Sequence, residues 1–119
     1  MSDPAVLIVL VTASSEKEAS GLASALVERE EAACVNVVPM IRSVYRWKGR
    51  IWNETEQLLI IKTSPPALEG VKRTVKELHS YELPEILALE VTDGEPNALA
   101  WIAASVRHGK DTPPTDSAT

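Results

Sequence analysis

Residues Ala5 to Thr12 (AVLIVLVT) form an unbroken apolar, β-branched run that ends in small polar residues, the pattern of a central strand covered on at least one face. The period then changes. Ala19, Leu22, Ala23, Leu26 and Val27 recur at i, i+3, i+4, i+7 and i+8, with Ser15 and Glu18 at capping-box spacing ahead of them and Glu28, Arg29 and Glu30 at the hydrated end. The second half opens in the same way. Leu58 to Ser64 (LLIIKTS) matches Leu7 to Thr12 in kind, and both runs pass through a threonine into a serine-initiated helix. In the second unit Ser64 is the expected N-cap, with Pro65 where a missing N–H is tolerated, and Leu68, Val71, Val75 and Leu78 form one apolar stripe ending near His79. A strand over Ile86–Val91, an Asp93-Gly94 turn and a short helix over Asn97–Val106 with Leu99, Ile102 and Val106 inward complete the pattern.

Between the halves, Ser43, Tyr45 and Trp47 alternate with Arg42, Val44, Arg46 and Lys48, a period of two that predicts a strand, and the segment turns back at Lys48-Gly49. The order β-α-β-β-α-β plus a terminal helix predicts an α+β, ferredoxin-like fold: an antiparallel sheet with both main helices on one face. The two arms of the central hairpin each exceed ten residues, against about five or six for an ordinary strand. Their projecting part carries Tyr45, Trp47, Ile51 and Trp52. Aromatic side chains bury about 150–250 Å² each, so a bare hairpin would leave an apolar patch larger than a monomer normally shows. Association with further copies through the Tyr45–Trp52 hairpin is therefore expected. Residues 1–108 read as one domain, and the polar stretch 109–119 (GKDTPPTDSAT), with two prolines, as a disordered tail.

Composition narrows the function classes. The chain has 119 residues, 45% of them hydrophobic and 24% charged, and carries a net charge of −5. That is one domain with a single core. The acidic balance argues against a protein that works by wrapping nucleic acid or an anionic membrane, despite the interleaved basic and aromatic residues of Arg42–Arg50. The Ala5–Val11 run has Asp3 and no basic residue ahead of it, unlike a secretory signal, and is far shorter than the roughly 20 residues of a membrane span. A single cysteine, Cys34, allows no intrachain disulfide and suggests a reducing compartment, so the expected location is the cytoplasm. In its strand setting Cys34 reads as a small buried hydrophobe.

Candidate chemistry is sparse. The five glycines never approach a phosphate-cradling spacing, and no nucleophile elbow is present. His79-Ser80-Tyr81-Glu82-Leu83-Pro84-Glu85 places an imidazole, a phenol and two carboxylates on one short loop, too few ligands for a closed metal site in one chain unless subunits combine. Lys62 ends an apolar run where the first repeat has Val11, and a lysine there either reaches the rim or lines a pocket.

Several separated motifs then fall into one familiar order. Ala32-Ala33-Cys34-Val35-Asn36-Val37-Val38-Pro39, Ser43-Val44-Tyr45-Arg46-Trp47-Lys48-Gly49-Arg50-Ile51, Glu54, Lys62-Thr63 and His79 to Ile86 resemble the divalent-cation tolerance protein family, CutA, over roughly residues 4–107. The resemblance implies a ferredoxin-like protomer in a PII-like homotrimer, a role in tolerance of divalent metals with copper foremost, and no enzymatic reaction. The leading expectation is a cytoplasmic trimer that holds Cu(II) or another divalent ion weakly, or at a composite metal site using His79 with Glu82 or Glu85, and takes part in metal homeostasis. The chain departs from some bacterial members, which carry a cysteine at the end of the first strand and two adjacent histidines before the tyrosine. Here those places hold Val11, and Leu78 followed by His79, and Ser80 replaces a customary proline. The alternative from a different class is a PII-like trimer that binds a small anionic ligand in the inter-subunit cleft, with Lys62 as anchor and Tyr81, Trp47 and Glu54 shaping the pocket. A third is a non-catalytic assembly module.

Overall fold

A computed structural model describes residues 3–107 of the chain. The expected tail over 109–119, and His108, lie outside the described residues. The elements run β1 (Leu7–Ala13), α1 (Glu16–Glu28), β2 (Cys34–Trp47), β3 (Arg50–Thr63), α2 (Leu68–Leu78), β4 (Leu87–Glu90) and α3 (Pro96–Ala104). The four strands form one antiparallel sheet in the order β2-β3-β1-β4, which is the ferredoxin-like arrangement the periodicities predict. Both hairpin arms reach 14 residues, so β3 is a single strand from the hairpin tip to the core.

Parity assigns each strand residue to a face. Val9 and Val11 of β1 and Leu59 and Ile61 of β3 point at the helices and are fully buried with Leu22, Leu26, Val71 and Val75. Their neighbours Ile8, Leu10, Leu58 and Ile60 point to the other face, where register places Leu87 and Leu89 beside Leu10 and Ile8. On that face Leu87 and Leu89 stand about half exposed, at 51% and 52%.

Two backbone devices shape the hairpin. Lys48 and Gly49 both adopt positive φ, 53° and 76°, and close Trp47 against Arg50 in the two-residue turn whose twist matches the strands. Lower down, Val38 pairs with Leu58 and Ile41 with Glu56, leaving Pro39 and Met40 to oppose Gln57 in a β-bulge. Pro39 has no ladder N–H to lose there, and Met40 takes φ 59°. The extra residue switches β2 from even to odd positions on the open face. Tyr45 thus shares a face with Trp52, Glu54 and Glu56 of β3.

Helix starts differ between the two repeats. Ser15 caps α1 as expected, its hydroxyl accepting from Glu18 N at 3.1 Å. Ser64 does not cap α2: its side chain makes no capping bond, and a 3₁₀ turn over Pro65–Ala67 precedes the helix. Pro65 and Pro66 carry no N–H for the hydroxyl to receive, and their fixed φ suits a tight turn. The final helix begins at Pro96, capped by the Glu95 carboxylate accepting from Ala98 N at 2.9 Å.

A buried polar staple ties the helix layer together behind the core. Glu31, 7% exposed, accepts from the Thr74 hydroxyl, while its own carbonyl receives the Thr63 hydroxyl at 2.6 Å. Burial pushes the Glu31 carboxyl up, against the opposing pull of Thr74 and of Arg29, Arg107 and Arg73. The carboxylate fits because α2 has Gly70 at the crossing: a Cβ there would stand 2.9 Å from Glu31 Oε2. Gly70→Ala is therefore expected to cost about 1–3 kcal/mol by overpacking, read as a lower denaturant midpoint. Measured against the Glu31→Ala single variant, adding Gly70→Ala should cost nothing, because the clashing carboxylate is gone and alanine favours the helix by about 0.5–1 kcal/mol. An undiminished loss in that background would show that Gly70 does not make room for the carboxylate.

Candidate functional site

The site grows from the end of α2. Helix α2 stops at Leu78, and His79 caps it in an extended conformation with its N–H donating to Val75 O at 2.9 Å. That change of direction turns the ring inward, where its side chain is fully buried. Nε2 lies 2.6 Å from the Thr12 carbonyl oxygen at the end of β1, and Nδ1 accepts from Tyr81 N at 3.0 Å. A carbonyl only accepts, so the ring proton sits on Nε2 and the Nδ1 lone pair serves Tyr81. Glu18, at the start of α1, receives Ser14 N at 2.9 Å and Ser80 N at 2.6 Å, which fixes the same loop from the other side. Burial raises the Glu18 pKa, but these hydrogen bonds outweigh it and leave the carboxyl below the usual range.

From this anchor the loop reaches the hairpin. The Tyr81 ring packs 4.8 Å from His79, and its hydroxyl donates to Glu56 Oε2 at 2.6 Å. One step up the same face, Tyr45 donates to Glu54 Oε1 at 2.8 Å and stacks on Trp52 at 6.5 Å. At the tip, Lys48 Nζ meets Glu82 Oε1 at 3.5 Å, and Trp52 Nε1 donates to Trp47 O at 3.1 Å. The product is a row of two carboxylates and two phenols on the open face of the hairpin. Its oxygens are hard donors suited to a cation, and each phenol is held as a neutral donor. The Glu54 bond, then burial, pushes Tyr45 up to about 12, while burial and then the Glu56 bond push Tyr81 up as well.

The expected site residues are thus only partly gathered. Tyr81 and Glu54 belong to the row, and Glu82 joins it through Lys48. His79 stands behind Tyr81 with both ring nitrogens engaged. Glu85 is exposed nearer β4, and among the described residues no three His, Cys, Asp or Glu side chains converge as a metal centre. Within one protomer, then, the residues present do not form a metal site of the kind the resemblance implies. Lys62 pairs with Ile8 and Cys34 on the open face, six residues and about 20 Å along β3 from Glu56, so no single protomer joins it to Tyr81, Trp47 and Glu54. Two members of the row, Glu56 and Tyr45, were not anticipated as site residues. A signal for Glu56 was present: with Glu54 it puts two carboxylates at alternate positions of a strand face that continues into Leu58 and Ile60.

Comparison with known proteins gives this geometry a family. The family described as "CutA1 divalent ion tolerance protein" matches residues 7–105. The chain belongs to that family. It is 45% identical over 95 residues to the divalent-cation tolerance protein CutA of Thermus thermophilus, covering 80% of this chain and 92% of that protein. A solved T. thermophilus divalent cation tolerance protein superposes with a TM-score of 0.84 at 42% identity, over 86% of this chain and 99% of the other. The structure titled "PII-like protein CutA from Nostoc sp. PCC 7120 in apo form" matches with a TM-score of 0.80 at 32% identity, over 86% and 98%. The chain spans little more than half the length of the plant and animal relatives it matches. No described helix of this CutA-family chain is long and apolar enough to cross a membrane.

Two outcomes follow from the site's hydrogen bonds. Ultraviolet titration should show neither of the two tyrosines ionising at its ordinary pKa of about 10, with Tyr45 titrating near 12 and returning toward 10 in Glu54→Gln. Because Tyr45's folded pKa lies above its unfolded value, its contribution to stability is intact below pH 10 and is lost as pH rises through about 12. Glu18 has the opposite sign. Its lowered pKa contributes stability above the reference value of 4.5 that is lost as pH falls through the folded value, so Glu18→Gln should flatten this part of the acid unfolding curve.

Proposed function

We propose that this chain is a homotrimeric divalent-cation tolerance protein, a binding protein with no reaction of its own, whose hairpin row holds a divalent ion weakly at the junction of subunits. The observation that carries the reading is the pairing of an uncovered apolar sheet face with a carboxylate row continuing the same face. Burying Ile8, Leu10, Leu58, Ile60, Leu87 and Leu89 against further copies removes an apolar surface that water penalises, and closes the row from above. Glu54 and Glu56, with Glu82 and Glu85 of the loop anchored by His79, then offer oxygen ligands that several protomers can share. Copper(II) tops the usual affinity order for such oxygen and nitrogen donors. We place the protein in the cytoplasm on its single cysteine, although two plant relatives are named chloroplastic and one solved structure is titled periplasmic.

A second reading rests on Lys62. It sits on the open face between Ile8 and Cys34, where trimer formation would surround it with apolar side chains and make a small anion its natural partner. In that reading Trp47 and Glu54 come from a neighbouring protomer's hairpin and Tyr81 from the loop after its α2.

Light scattering on the purified protein should give the mass of three 12.9 kDa protomers, and Leu89→Lys should dissociate it. A single-protomer mass would overturn the assembly and any shared site. Calorimetric titration with copper(II) against a glycine competitor should show saturable binding that is weakened at least tenfold in Glu56→Gln. Absence of copper(II) binding, together with phosphate binding that is unchanged in Glu56→Gln and abolished in Lys62→Ala, would favour the second reading.

A further inference from the structure

The one histidine among the described residues occupies an unusual position. Its side chain is wholly buried, yet it lies at the end of a helix next to a loop that meets the candidate site. Three chain segments converge on it. Thr12 at the end of β1 presents its carbonyl to Nε2 at 2.6 Å, the Tyr81 amide donates to Nδ1 at 3.0 Å, and Glu18 of α1 lies 3.9 Å from Nδ1 while holding Ser80 N at 2.6 Å. Neither ring nitrogen has a lone pair free for a cation: one carries the proton and the other accepts an amide. A metal ion at Nδ1 would have to displace the Tyr81 amide and leave that N–H without its acceptor. At Nε2 it would meet the Thr12 carbonyl in place of a proton.

We infer that His79 is a positioning residue that locks the Ser80-Tyr81 loop to the end of β1 as a neutral, Nε2-protonated imidazole, and so sets the Tyr81 hydroxyl on Glu56. The chain of contacts is continuous: Thr12 carbonyl to ring, ring to Tyr81 amide, ring face to phenol at 4.8 Å, phenol to Glu56 at 2.6 Å. Removing the imidazole takes away the acceptor of the Tyr81 amide and lets the phenol leave the carboxylate. What His79 serves, a cation on the carboxylate row, rests on the function proposed above. The lock itself does not.

The experiment is long-range ¹H–¹⁵N NMR of the His79 ring, with amide hydrogen exchange at Tyr81, on the full chain before and after addition of zinc(II) as a diamagnetic divalent probe. The ring should show the Nε2–H tautomer, the Tyr81 amide should be protected, and neither should move when zinc is added. His79→Leu should raise the Tyr81 exchange rate by at least tenfold with the sheet amides unchanged. His79→Asn, whose side-chain oxygen can take the place of Nδ1, should restore part of the protection, whereas a merely space-filling role would make Leu the better replacement. A large zinc-induced ¹⁵N shift at either ring nitrogen, an Nδ1–H tautomer, or an unprotected Tyr81 amide in the wild type would each overturn the lock. If zinc and copper fail to bind while the tautomer and the Tyr81 protection hold, the cation reading falls and the lock stands.

Discussion

Strand β3 runs for 14 residues without a break, so the side of the sheet a residue occupies in the core is also its side on the projecting hairpin. Everything else in the molecule adapts to this continuity. Odd positions such as Leu59 and Ile61 face the helices, and even positions from Trp52 through Glu54, Glu56, Leu58 and Ile60 to Lys62 share the open face. The bulge at Pro39 and Met40 lets β2 keep pace with this pattern, because two residues opposite one reverse its parity and bring Tyr45 round to the carboxylates. Without it, the tyrosine would point away from Glu54.

The open face explains why assembly and function are read as one problem. An antiparallel sheet commonly leaves one side to water, and that side is then polar. Here it is apolar over the core and acidic over the hairpin, the division from which we propose that copies of the chain cover the core portion. The helix layer on the opposite side is self-sufficient, closed by Leu22, Leu26, Val71 and Val75 and stapled by Glu31 to Thr74 and across Gly70. Stability of the protomer and construction of the site are thereby assigned to opposite faces of the same sheet.

The candidate site uses neutral hydrogen-bond donors to hold charged acceptors. Tyr45 and Tyr81 each donate to a glutamate, and the raised phenol pKa values are the counterpart of those bonds. The result is a pair of oriented carboxylates with little conformational freedom, which lowers the ordering cost of placing a ligand on them. His79 and Glu18 act one step back, holding the loop that carries Tyr81.

The sequence by itself determined the order of elements, the antiparallel ferredoxin-like sheet, the core stripes of both main helices and the excessive length of the hairpin, because these depend on local periodicity. It also carried the family motifs. Some local outcomes escaped it: the Ser64 hydroxyl makes no cap, since Pro66 has no N–H and the Ala67 N–H goes to the Ser64 carbonyl. The role of His79 was decided only by the tertiary structure. Read along the chain, the residue stands in a loop with Tyr81, Glu82 and Glu85 and invites a metal, but folding brings Thr12, 67 residues earlier, against its ring and commits both nitrogens. Glu56 acquired Tyr81, and Lys62 was parted from the residues expected beside it, for the same reason: pairing across a sheet is set by register between distant segments, and no local pattern encodes which side chains it will bring together.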